Sequence, residues 1–191
     1  MRLLIILGIL ATPCFGLAQS NIIKGRAIYI PLMEEPYSFG IGYERILSDN
    51  LSVQLLFNSK RARAGLDGPK RIAHGFVPEM RYYFGKADNF RQKAFVGVFT
   101  ELMKTVIYPG MQESQLQLLE TNGTLISPGI LIGKNGSIGK RFLIDVYIGY
   151  KQKIIIGTDL FYDYGTEEYL ERDIVETESG IRAGLNIGVL F

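Results

Sequence analysis

Chemistry needs reactive groups, and this chain supplies few. Its 191 residues include one histidine, one cysteine and no tryptophan. His74 is the single candidate for a histidine base, and acyl transfer would require a nucleophile and an orienting acid within its reach. The stretch HGFVPE that begins at His74 holds no serine, and no Gly-x-Ser-x-Gly occurs in the chain. One histidine and one cysteine make a poor zinc set. Asp159, Asp163, Glu167 and Glu168 cluster around Gly165 and offer the oxygen ligands that calcium takes, but not in the order of an EF-hand loop. They read as a solvated acidic segment. No catalytic, cofactor-binding or metal-binding residue is assigned, and the chain reads as a non-enzyme.

The remaining polar groups follow a different logic, because they fall at every second position. In GIRAGLNIGVLF, residues Ile181, Ala183, Leu185, Ile187, Val189 and Phe191 alternate with Arg182, Gly184, Asn186, Gly188 and Leu190. A period of two is the mark of a strand with two unlike faces. Eight such segments are expected, at 22–32, 38–47, 51–58, 73–84, 94–103, 125–134, 141–151 and 180–191. Glu44, Glu79, Arg81, Glu101, Asp145, Lys151 and Arg182 all lie on the faces opposite the apolar sets.

The links between segments alternate in length. Those at 48–50, 85–93 and 135–140 are short, whereas 59–72, 104–124 and 152–178 are long; of the outer links only the first, 33–37, is short. Short turns at one end and long loops at the other are the pattern of an outer-membrane barrel. In a bilayer, strands can span only as a closed sheet, because each backbone group must find an internal partner. Arg or Lys on the lipid face near the midplane costs roughly 2–4 kcal/mol, which favours apolar residues outside and charges within. The expected fold is therefore all-β, a closed antiparallel up-and-down eight-stranded transmembrane barrel.

Eight strands enclose an interior just wide enough for side chains to fill. The seven charged residues are expected to form a linked structural network that plugs the lumen rather than an ion or proton path. Tyr43, Phe57, Tyr82, Phe84, Phe142, Tyr150 and Phe191 are candidates for interfacial girdles. Pro78 and Pro128 fit poorly, since a closed barrel offers no free edge for a residue lacking an N–H; bulges or strand ends are the expected remedy.

The N-terminus reads as a secretory leader, residues 1–18: Arg2, an apolar run at 3–10 and a small-x-small site at Gly16-Leu17-Ala18. The barrel domain is then 19–191, and cleavage removes Cys14. A lipoprotein site at Cys14 is disfavoured by the proline before it. The formal charge of +2 argues against a polyanion or nucleic-acid binder.

The stretches SFGIGYERILSDNLSVQLLF, FVPEMRYYF, ISPGILIG, RFLIDVYIGYKQ and GIRAGLNIGVLF together resemble the small eight-stranded outer-membrane β-barrels of Gram-negative bacteria, an OmpA/OmpX-like group. Within that group they most resemble an uncharacterised Bacteroidetes type. The resemblance spans nearly all of 19–191 and rests on residue classes, with no active-site signature to transfer. It implies that Phe191, as a C-terminal aromatic, is read by the barrel assembly machinery.

Two oppositely charged loops are expected on the external side. Lys60, Arg61, Arg63, Lys70 and Arg71 face Asp67 alone in the first. In 152–178 there are eight acidic residues against two basic ones, interleaved with Phe161, Tyr162, Tyr164 and Tyr169. Lys60, Arg61 and Arg63 are thus candidates for contact with lipopolysaccharide phosphates, and the acidic loop for a partner; mutual neutralisation of the loops is the alternative. The expected partners are outer-membrane lipid, lipopolysaccharide and the assembly machinery, with the protein a monomer. Two rival readings are a lipid-modifying barrel enzyme using His74 and a soluble exported barrel that binds a small apolar ligand.

Overall fold

The computed structural model describes residues 21–29, 37–63, 68–84, 93–109, 116–139 and 141–190. The expected leader, Cys14 and Phe191 lie outside these residues, as do the side chains of Tyr37 and Arg63. The fold is all-β: β1 (Asn21–Tyr29), β2 (Tyr37–Ser48), β3 (Leu51–Arg63), β4 (Lys70–Phe84), β5 (Ala94–Tyr108), β6 (Leu116–Ile138), β7 (Phe142–Asp163) and β8 (Glu168–Leu190). Each strand pairs antiparallel with the next, the up-and-down order anticipated from the alternation. β1 also pairs with β8, from Ile22↔Leu190 to Arg26↔Asn186, which closes the sheet on itself.

The strands outrun their hydropathy pattern. β6, β7 and β8 span 23, 22 and 23 residues. The expected loops at 104–124 and 152–178 are largely strand, and β7 reaches β8 through a turn at 164–167. The extension of these strands has a physical cause. Beyond the regularly alternating segments polar and apolar residues occur on both faces, so the two-residue period in hydropathy fades while the backbone pairing continues. Cross-strand pairs such as Thr121↔Asp159 and Asp159↔Arg172 carry the ladder onward, with ion-pair and hydrogen-bond support.

Alternation decides which face is which. On β4, Val77, Glu79, Arg81 and Tyr83 are buried while Phe76, Met80, Tyr82 and Phe84 are exposed. On β7, Leu143, Asp145, Tyr147, Lys151 and Lys153 are buried and Val146, Ile148 and Tyr150 exposed. Apolar side chains therefore face outward around the belt, the arrangement opposite to a soluble barrel. Of the expected girdle, Phe57, Tyr82, Phe84, Phe142 and Tyr150 are on the outer surface, and Phe39 and Phe76 join them.

The prolines need neither a bulge nor a strand end. The β4–β5 ladder runs Phe76↔Leu102 and resumes at Glu79↔Phe99, with no shift of register around Pro78. The β6–β7 ladder likewise passes from Ile126↔Ile154 to Gly129↔Lys151 around Pro128. In each case two pairings open where the N–H is missing, while the other edge of the proline-bearing strand stays paired (Leu55↔Pro78, Thr100↔Pro128).

Two glycines on β6 create room for rings inside. A Cβ on Gly129 would lie 2.5 Å from the Phe99 ring and 2.5 Å from the Tyr150 carbonyl oxygen. One on Gly133 would meet the Phe95 ring at 2.5 Å and the Val146 oxygen at 2.6 Å. Backbone atoms cannot yield as a side-chain tip can. Gly129→Val is therefore expected to destabilise the folded protein by about 1–3 kcal/mol through overpacking. Denaturant titration in detergent micelles, compared with the outward Ile130→Val, checks this.

Candidate functional site

The lumen holds a chain of charges assembled from five strands. Lys60 of β3 and Lys151 of β7 both donate to Glu101 Oε2 of β5, at 2.9 and 3.0 Å. The other oxygen of Glu101 lies 3.8 Å from Arg182 Nε of β8. Arg182 Nη1 is 2.9 Å from Glu79 Oε2 on β4, and Glu79 Oε1 accepts from Arg81 Nε at 2.6 Å. Arg81 Nη1 then donates to Asp145 Oδ2 at 2.7 Å. Carboxylates and cations alternate along the whole path. Glu79 and Glu101 are each shared between cations, so the ionic links run from wall to wall.

Glu44 stands beside this path, accepting hydrogen bonds from the Ser52 hydroxyl and from Tyr83 Oη. Asn186 Nδ2 reaches Asp145 Oδ2 at 3.5 Å. All seven residues expected in the lumen are buried: Glu44, Glu79, Arg81, Glu101, Asp145, Lys151 and Arg182. Six of them share the ion-paired path, and Glu44 joins through hydroxyls.

Aromatic rings complete the site. The Arg81 guanidinium lies 4.3 Å from the centroid of Phe95, and Arg182 lies 4.0 Å from Phe99 and 5.2 Å from Tyr147. A guanidinium is planar and weakly hydrated, so it can stack on a ring while its edge binds carboxylates. Lysine could not do both. The glycines at 129 and 133 matter here, because they leave space for the two rings on which the arginines rest.

Apolar layers bound the charges. Ile22, Ile46 and Leu143 pack together toward the short-turn end. Toward the long-strand end, Ala73, Met103, Leu125 and Ile155 form another cluster, with Ile107 against it. Leu56, Val77 and Leu131 pack among the rings at the level of the ion pairs. Apolar clusters thus flank the charged groups on both sides along the strands.

Lys60 departs from the sequence expectation. The expected basic external loop makes it a candidate for lipopolysaccharide contact, yet it is buried and bound to Glu101. The reason is parity: β3 continues past Asn58, and Lys60 falls on the same face as Ser52, Gln54, Leu56 and Asn58. Arg61 is exposed on the outer face, and the Arg63 side chain lies outside the described residues. Lys153 is a lumen residue that the sequence pattern does not single out; it is buried two positions beyond Lys151, with Glu178 at 3.5 Å.

The chemistry candidates stay apart. His74 is exposed on the outer face of β4, in register with Ser59 on one side and Lys104 on the other. The second neighbour is a cation where a triad would place an orienting carboxylate. Asp159 bonds Thr121 at 2.5 Å and Asp163 accepts from the Gly165 amide at 2.8 Å. Among the described residues no group of three or more His, Cys, Asp or Glu could hold a metal ion.

Glu101 joins three cations, so its neutralisation should be costly. Breaking a buried pair from one side typically costs about 3–5 kcal/mol, because the partner charge is left behind. Glu101→Gln should fall in that range by unfolding titration, whereas the exposed Glu171→Gln should change stability by less than about 0.5 kcal/mol.

Solved structures similar to the chain share its fold at low identity. Neisserial surface protein A matches with a TM-score of 0.52 and 17% identity, over 91% of this chain and 95% of that one. Outer membrane protein W of E. coli matches with a TM-score of 0.50 and 15% identity, over 93% and 100%. A major outer membrane protein from Thermus thermophilus matches with a TM-score of 0.55 and 9% identity, over 92% and 100%. No curated protein matches the chain in sequence. A family pattern described as protein of unknown function DUF3575 matches residues 4–154, most of the chain. The chain belongs to the DUF3575 family.

Proposed function

We propose that this protein is a non-enzymatic, side-chain-plugged transmembrane β-barrel of the outer membrane, whose extended external strands make envelope or surface contacts. The inversion of the usual partition carries this reading. Ile130, Ile132, Val146 and Ile148 stand more than half exposed on the outer wall while Arg81, Glu101 and Arg182 are buried within. Contiguous apolar surface of that extent is stable only against lipid or a partner. A bilayer also explains why charges gather at the centre, where they can pair.

The likeness to three outer-membrane barrels supports the compartment, and the packed, ion-paired lumen supports a structural role over conduction. The rival soluble barrel would need its apolar side chains turned inward, which is the reverse of β4 and β7. On the external side, β8 from Glu168 to Glu178 is exposed on both faces apart from Ile174, and its Glu168, Glu171, Glu176 and Tyr169 are available to a partner.

Fractionation tests the compartment: the protein should sediment with outer membranes, resist carbonate extraction and migrate differently on gels before and after heating. Recovery as a detergent-free periplasmic protein would contradict the reading. In planar bilayers it should show no sustained open channel. Val98, half-exposed at mid-belt, sharpens the test. Val98→Arg should lower folding free energy into lipid vesicles by roughly 2–4 kcal/mol, as expected for a cation on the lipid face.

A further inference from the structure

The geometry points to a binding site for a phosphorylated glycolipid on the outer wall of β3, β4 and β5, formed by Arg61, Lys70, His74 and Lys104. The inference deepens the proposed membrane location and rests on it, since it requires that this wall face lipid.

The site follows from register. Phe57, Phe76 and Leu102 form one cross-strand row of the apolar belt, with the two phenylalanine rings 5.6 Å apart. The next outward row toward the long-strand end is Ser59, His74 and Lys104. Above it lie Arg61, Ile72 and Val106, and then position 63 with Lys70 and Tyr108. Arg61, Lys70, His74 and Lys104 are all exposed. The basic rows thus begin one step above the last wholly apolar row, where a lipid headgroup would lie over its own acyl chains.

These basic groups differ from the cations in the lumen. Among the described residues none of the four has an acidic partner, and the one contact of Lys70 is with the Tyr108 ring, 5.7 Å away. The one acid on the neighbouring β6, Glu120, accepts a hydrogen bond from Asn122 at 2.6 Å. The positive patch is therefore left for an external anion, at a depth where acyl chains adjoin it. A phosphate on a lipid meets both demands.

The extent of the patch favours more than one phosphate. Lys70 and His74 are four residues apart on one strand, about 14 Å of length, and three strands give about 10 Å of width. A glucosamine disaccharide with a phosphate at each end spreads its charges over such a surface. A single phosphodiester would engage part of it. The long-strand end, which carries the patch, is the external end of the proposed barrel, and phosphorylated glycolipid belongs to that leaflet.

The test uses the full chain, refolded into vesicles that contain bisphosphorylated lipid A or the same lipid with its phosphates removed. Lipid retained after detergent extraction is counted by native mass spectrometry. The wild type should retain the bisphosphorylated form preferentially. Arg61→Gln/Lys70→Gln/Lys104→Gln should weaken that retention roughly fivefold per cation removed, hence roughly a hundredfold, with an unchanged heat-modifiable shift showing intact folding. Raising ionic strength should weaken the wild type toward the variant. Equal retention of the two lipids, undiminished retention by the triple variant, or equal competition by phosphatidylglycerol would overturn the site while leaving the membrane location standing. Failure of the wild type to enter vesicles would take both down.

Discussion

Charge taken out of water must find opposite charge, and in this molecule that constraint organises the interior. Arg81 and Arg182 are buried completely or nearly so. Each needs carboxylates at hydrogen-bonding distance from one edge and a weakly hydrated surface for its face. Glu79 serves both arginines, Asp145 and Glu101 complete the acids, and Phe95, Phe99 and Tyr147 supply the faces. The rings fit because β6 has glycine at 129 and 133. Register, glycine placement and ion pairing are thus one arrangement seen at three levels.

The same constraint links the inside of the wall to the outside. A strand with charges on one face and aliphatics on the other needs unlike surroundings for its two faces. Closing the sheet separates the two faces, and in the proposed bilayer the ladder would satisfy the backbone groups that water cannot reach. The interruptions at Pro78 and Pro128 are tolerated because register is kept on both sides of them. Above the belt the demand relaxes: β8 continues with largely polar residues on both faces, and β6 and β7 with polar and apolar residues mixed.

Much of this is legible in the sequence, and the failures have definite causes. Parity puts all seven lumen charges on the inward face, where the structure buries them, because alternation needs only local counting. Lys60 is misplaced when the strand is ended where hydropathy alternation stops; two more residues at the same parity put it inside. Lys153 is lost in the same way, two positions beyond Lys151. The pairing of Arg182 with Glu79 rather than with a nearer acid in sequence is beyond local counting, since it depends on the stagger of strands across the lumen. The stacking of arginines on Phe95 and Phe99 is hidden too, because an inward ring looks like a lapse in the pattern until its partner is known. For His74, only register reveals Ser59 and Lys104 as its neighbours.

One measurement tests the inverted partition most directly. Single spin labels are placed at successive positions from 142 to 150 on β7, in a Cys14→Ser background, and oxygen accessibility is recorded in lipid bilayers. Accessibility should peak at positions 142, 144, 146, 148 and 150 and fall at 143, 145 and 147, because oxygen concentrates in acyl chains. Peaks at the odd positions, or no two-residue period at all, would contradict the placement of Asp145 and its ionic partners inside a lipid-clad wall.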